Sequence, residues 1–172
     1  AMGMFGIAEI ILNLERPESR SVMSGKVGSL MMTREEIRRS IPSVLRGTAV
    51  GSLLGILPGG GALLAAFAAY SVEKKTNLHP GEVPFGEGNI RGVAAPESAN
   101  NAGSQTSFIP LPTLGTPPTA VMALMAGATT LHHIPPGPPV LTRNPPPVWG
   151  PIASRWIGHA VLVLLNLPLP GM

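Results

Sequence analysis

The sequence predicts an all-α membrane protein whose helices are interrupted in two places, and three observations point there. Charged residues make up only 12 % of the chain, while hydrophobic residues reach 44 % and the mean hydropathy is +0.29. Gly (21) and Pro (20) are abundant at the same time. In water, that much Gly and Pro would accompany a polar, disordered chain. This chain is apolar, and Gly and Pro are commoner in membrane helices than in soluble ones. Finally, two long charge-free runs, from Arg46 to Glu73 and from Glu97 to Arg143, each contain a cluster of Gly or Pro.

Taken in order, residues 1–14 are apolar apart from Glu9 and read as the end of a truncated span. Residues 15–43 form a polar connector. Within it, Thr33 is placed to cap a helix with Glu36 three residues on, and Glu35 with Arg39 forms an i,i+4 pair, so 34–45 reads as an amphipathic helix bent near Pro42. Between Glu15 and Arg46 stand seven basic residues against four Glu, which carries the whole net charge of +3. Positive charge concentrated beside apolar runs places this connector on the cytoplasmic side of a membrane. A pI near 10.0 alone would also suit nucleic acid, but seven Phe, Trp and Tyr residues supply few stacking platforms, so no nucleic-acid partner is expected.

The next segment, 44–73, reads as a first broken pair, with half-helices 44–56 and 62–73 around Leu57-Pro58-Gly59-Gly60-Gly61. Pro58 removes a donor and the glycines lower the cost of irregular backbone. Residues 74–96 read as a loop. A second broken pair occupies 97–131, with half-helices 97–109 and 119–131 around a break from Pro110 to Pro118. A Pro-rich loop, 132–148, precedes a last span at 149–168 that holds Arg155 and His159. Both are costly in lipid and are expected to face protein or to snorkel.

Irregular backbone at membrane depth survives only against protein or a wet cavity. In secondary transporters such breaks offer half-helix N-termini to anions and bare carbonyls to cations. The polar patch at Ser98, Asn100, Asn101, Ser104, Gln105 and Thr106 lies in an otherwise apolar stretch. Asn100 and Asn101, with the backbone of Pro58, Gly59, Gly60 and Gly61, are therefore candidates for contact with substrate or a coupling ion, including a transient Na+. Hydrogen bonding between helices by small polar residues is the alternative. Glu97 either binds a cation or carries a proton, or it marks a helix start. Thr113, Thr116 and Pro117 complete the candidate pathway.

Enzyme chemistry finds no support. There is no Cys for a thiolate and no Asp for a Ser-His-Asp triad, and no elbow motif supports a Glu variant. His132, His133 and His79 lack acidic or thiol companions, so no resident metal or other cofactor is expected. The Gly59–Gly61 turn fails as a nucleotide loop, since no Lys-Ser/Thr follows and position 64 is Leu.

Several strings carry a family resemblance. Gly47-Thr48-Ala49-Val50-Gly51 leads into Gly55-Ile56-Leu57-Pro58-Gly59-Gly60-Gly61 and Tyr70-Ser71-Val72-Glu73-Lys74-Lys75. Gly92-Val93-Ala94-Ala95-Pro96-Glu97-Ser98-Ala99-Asn100-Asn101-Ala102 follows, then Ser107-Phe108-Ile109-Pro110, Thr113-Leu114-Gly115, Pro136-Gly137-Pro138, Trp149-Gly150, Ile152-Ala153-Ser154 and Leu165-Asn166-Leu167-Pro168-Leu169. In that order they resemble the large membrane subunit of the tripartite tricarboxylate transporters, the TctA family. The resemblance implies a multi-pass protein of the bacterial inner membrane that imports citrate-like tricarboxylates or related carboxylates. Import would be driven by Na+ or H+, with a small TctB-like membrane subunit and a periplasmic TctC-like binding protein. It implies one half of an inverted-repeat transporter, covering most of the second half, or alternatively a truncated, non-transporting remnant or scaffold. Three positions depart from the family pattern. Thr116-Pro117-Pro118-Thr119 stands where Ile-Pro-Gly and a small or acidic residue are usual, and His133 and His159 stand where Gly and Asn are common.

Overall fold

The computed structural model describes residues 32–76, 83–143 and 145–167, together with Ile7 and Ile11. The chain forms two compact units, Ala1–Leu30 and Met31–Met172. In the first, Ile7 and Ile11 are both helical. The remainder of the expected span end at 1–14, the connector up to residue 31, and His79 lie outside the described residues.

In the second unit every regular element is an α-helix among the described residues: α1 (Arg34–Ile56), α2 (Gly61–Thr76), α3 (Arg91–Thr106), α4 (Pro110–Leu114), α5 (Ala120–Leu131), α6 (Pro138–Arg143) and α7 (Pro146–Asn166). The start of α1 follows its local sequence. Thr33 Oγ1 accepts from Glu36 N at 3.3 Å while Thr33 N donates to the Glu36 carboxylate at 2.6 Å, a reciprocal capping box. Arg39 and Glu35 pair at 2.9 Å. The helix does not end at the connector, however. It runs through Pro42 to Ile56, so the amphipathic helix and the first half-helix are one element of 23 residues.

The chain then breaks at Leu57–Gly60 and doubles back. Gly59 (φ 77°) and Gly61 (φ 66°) adopt the left-handed conformation that glycine enters without a Cβ penalty. On the return leg Glu73 reaches Ser43 and Arg46, which lie as far before the turn as Glu73 lies after it. The pair is therefore a hairpin, about 22 Å deep at ~1.5 Å per residue, and not a single straight crossing.

Small residues let α3 close against this hairpin. Gly47, Gly51 and Gly55 form a buried row on α1, and Ala95, Ala99 and Gly103 form one on α3. A Cβ on Gly51 would lie 2.6 Å from Ala99 Cα, and one on Gly55 would lie 2.7 Å from Gly103 Cα. From α2, Gly61, Ala65 and Ala69 complete the seam, and Val50 and Leu54 pack on the Ala65–Ala69–Ala99 core. Helices in lipid gain little from burying apolar bulk, so close backbone approach takes its place.

The connection into α3 is organised by Asn89. Its amide donates to Val83 O (2.7 Å) and its carbonyl accepts from Arg91 N (2.9 Å). Phe85 meets Tyr70 of α2 edge to face, with centroids 5.6 Å apart. The second half departs from the expected boundaries. α3 begins at Arg91, before Glu97, and Pro110 opens the short helix α4 instead of breaking a helix, because a proline at the first helical position gives up no bond. The irregular backbone lies at 107–109 and again at 115–119. Gly115 (φ 72°) ends α4, and Thr119 caps α5 by accepting from Met122 N. The Pro-rich loop contains α6. The last span starts slightly earlier than expected, and it is the one described helix long and apolar enough to cross a membrane.

Candidate functional site

The two interruptions meet. Gly59 N donates to Pro118 O at 3.1 Å, and a Cβ on Gly61 would touch Thr119 Cγ2 at 3.4 Å. Two unwound turns separated by some sixty residues of chain thus share a hydrogen bond. Pro118 is buried, whereas Pro58, Gly59, Thr116 and Pro117 are exposed beside it and Gly60 is half-buried. The junction uses the Pro118 carbonyl, which any residue supplies. Proline here removes a donor that the contact does not need.

The opposite end of the hairpin is held by charge. Glu73 is fully buried and accepts from Ser43 Oγ (2.7 Å), Arg46 Nη2 (2.6 Å) and Arg46 Nε (2.8 Å). Arg46 and Glu73 are the charges that bound the first uncharged run, and they prove to be each other's partners. A bidentate pair of this kind fixes orientation as well as distance. Sequence reasoning saw the two boundaries but not the pairing. Their near-equal spacing from Pro58–Gly60 was the available signal.

The polar patch of α3 divides between two faces. Ser98 sits at the α1 seam beside Gly47, with its hydroxyl donating to Ala95 O (2.9 Å). Glu97, Asn100 and Asn101 are exposed, and Asn101 Nδ2 donates to Glu97 O (3.1 Å) within the same helix. Thr113 is exposed on α4 and donates to Ile109 O (2.6 Å). The structure thus joins Pro58–Gly61 to the Thr116–Thr119 turn, and it places the Asn100–Asn101 pair on the outer face of α3.

Beyond the junction, a groove of about 620 Å³ lies among the end of α3, α4, α5, α6 and α7. Arg155 of α7 reaches into it, its guanidinium carbon 5.1 Å from the centre of the Phe108 ring. Arg155 is exposed but touches protein through Phe108, and His159, one turn on and also exposed, lines the same groove.

With this geometry in place, comparison with known proteins is informative. The sequence profile described as "Tripartite tricarboxylate transporter TctA family" matches residues 1–172, the whole chain. The chain belongs to the TctA family. It is 55 % identical over 172 residues to an "Uncharacterized 52.8 kDa protein in TAR-I ttuC' 3'region" of Agrobacterium vitis, covering 100 % of this chain and 34 % of that protein. It is 62 % identical over 122 residues to an "Uncharacterized protein in TAR-II ttuC' 3'region" of the same organism, covering 71 % of this chain and 50 % of that protein. The chain thus spans between a third and a half of the length of these curated relatives. No solved structure matches it.

TctA proteins form a transporter family and not an enzyme family, and the helices of the described residues, one of them of membrane length, agree with that membership. The structure also explains one departure of this TctA chain. His133 has φ 57° and closes α5, with His133 N donating to Thr130 O (2.9 Å) and Ile134 N to Thr129 O (3.0 Å). That is a Schellman cap, whose left-handed residue is normally glycine. Histidine at this position carries strain that the commoner glycine avoids.

Proposed function

We propose that this chain is the substrate-handling part of a TctA membrane subunit that imports tricarboxylates or related carboxylates, such as citrate, on a Na+ or H+ gradient. The hydrogen bond between Gly59 and Pro118 carries the reading, because it gathers two unwound backbone segments into one place. Unwound turns offer both donors to a carboxylate and carbonyls to a cation, and they need shelter from lipid that a transport pathway provides. The chain works in the bacterial inner membrane as one half of an inverted repeat. Its partners are a small TctB-like membrane subunit and a periplasmic TctC-like binding protein. Pro58–Gly61 with Thr113, Thr116 and Pro117 line the pathway, and Glu97, Ser98, Asn100 and Asn101 form its polar approach. The coupling ion binds transiently near Asn100, Asn101 and adjacent backbone.

Uptake of labelled citrate by cells expressing the complete three-component system tests this. Asn101→Ala is expected to reduce uptake at least tenfold with membrane insertion unchanged, and collapse of the Na+ or the pH gradient identifies the driving ion. Membrane assembly of all three components without uptake of any carboxylate would turn the reading toward a scaffold.

A further inference from the structure

The groove beside Arg155 has a chemistry of its own. Its volume of about 620 Å³ falls in the range of small-molecule sites, roughly 300–1,000 Å³. The walls are mostly apolar, with Phe108, Leu111, Met125 and Trp156 among them, and no acidic side chain among the described residues lines it. A cation would therefore find no counter-charge there. Two of the polar lining groups have already spent their protons, since Thr129 Oγ1 donates to Ala126 O (2.9 Å) and Ser154 Oγ to Pro151 O (3.0 Å). The side-chain donors left to a ligand are Arg155, Gln105, His159 and the Trp156 indole N–H, which suit an anion. Arg155 lies over Phe108, its guanidinium carbon 5.1 Å from the ring centre, and among the described residues no carboxylate pairs with it. A cation–π contact uses none of the guanidinium N–H groups as a pair for a carboxylate, so a fork is left for one, which arginine binds in bidentate fashion.

We propose that this groove binds one carboxylate group of a small organic anion, with Arg155 as the ion-pairing fork and Gln105 and His159 as further donors. The inference rests on the transport reading above and adds to it a site and a preference. One guanidinium offsets one negative charge, and a second or third ionised carboxylate placed among these apolar walls has no partner, which is costly. The groove therefore favours anions with one carboxylate in the pocket and an otherwise uncharged body over fully ionised citrate.

Trp156 lines the groove and Trp149 does not, so Trp149→Phe leaves a single fluorescent reporter at the site. The full chain in detergent micelles is titrated with butyrate, succinate and citrate, and with butyramide as the uncharged control. The expected result is a saturable Trp156 response to butyrate at lower concentration than to succinate, to succinate at lower concentration than to citrate, and none to butyramide. Arg155→Gln weakens the response at least tenfold, and Arg155→Lys, which keeps the charge but loses the fork, weakens it by an intermediate factor. Gln105→Ala, a change on a different helix, guards against a misfolded Arg155 variant and gives a smaller loss. No saturable response to any carboxylate, or equal binding by wild type and both Arg155 variants, overturns the proposal. Its failure is separable from that of the transport reading. Undiminished uptake by the complete system carrying Arg155→Gln ends this inference and leaves transport standing. Arg155-dependent binding without uptake by the complete system retains the site and ends the transport reading.

Discussion

The α1–α2–α3 bundle and the α7 region solve the same problem in opposite ways. In the bundle the buried positions are Gly, Ala and Ser, and the one large buried side chain, Glu73, is fully hydrogen-bonded. Along α7 no residue is buried, and large apolar side chains such as Trp149, Ile157, Leu162 and Leu164 are exposed. The bundle derives its order from backbones brought into contact, where dispersion and polar pairing act at short range. α7 touches the rest through a few side chains, chief among them Arg155 on Phe108. Rigidity in this molecule thus follows small residues and not apolar bulk, the reverse of a water-soluble core.

The largest expected effect breaks that comparison directly. Gly51→Leu forces a side chain against the Ala99 backbone and is expected to cost about 3 kcal/mol or to separate α3 from the hairpin. Leu162→Ala on exposed α7 removes most of a large side chain yet should change stability by less than ~0.5 kcal/mol. Unfolding by SDS titration in mixed micelles compares the two, and equal losses would erase the distinction. Next in size is Glu73→Ala. It leaves Arg46 and Ser43 without their acceptor at the open end of the hairpin, and a loss of about 2–3 kcal/mol is expected because Arg46 is partly exposed. Hydrogen exchange should rise along α2 more than along α5.

A smaller effect of opposite sign is expected at the end of α5. His133→Gly relieves the left-handed residue and should stabilise the protein by about 1 kcal/mol in the same titration. The smallest concerns the exposed first turn of α1. Hydrogen bonds from the Thr33 backbone and then its hydroxyl hold the Glu36 carboxyl below its ordinary range. A carboxylate held low in the folded state contributes fully above the unfolded carboxylate range and loses that contribution as pH falls through the depressed value. Acidification through that window should therefore fray Thr33–Ile37 first, seen as faster amide exchange there, and Glu36→Gln should remove the pH dependence.

What could be read directly from the sequence was local. The capping box at Thr33, the Glu35–Arg39 pair and the break at Pro58–Gly61 each involve residues within four positions of one another, so their chemistry is fixed before any packing occurs. Family membership was also legible, because strings such as Gly92–Ala102 are specific by themselves. Boundaries shifted where a local rule met a tertiary one. α1 ran on past residue 45 to Ile56, and Pro110 began a helix where a break was expected, since a proline at the first helical position gives up no bond.

The sequence by itself determined that helices would form, where Gly and Pro would interrupt them and which charges would bound the apolar runs. Only the tertiary structure decided that Gly59 meets Pro118, that Arg46 returns to Glu73, and that Gly47, Gly51 and Gly55 face Ala95, Ala99 and Gly103. The reason is physical. A glycine row states that two backbones can approach closely, but it does not name the second backbone. That choice is made when distant helices compete for the same contact, and here α3 won it.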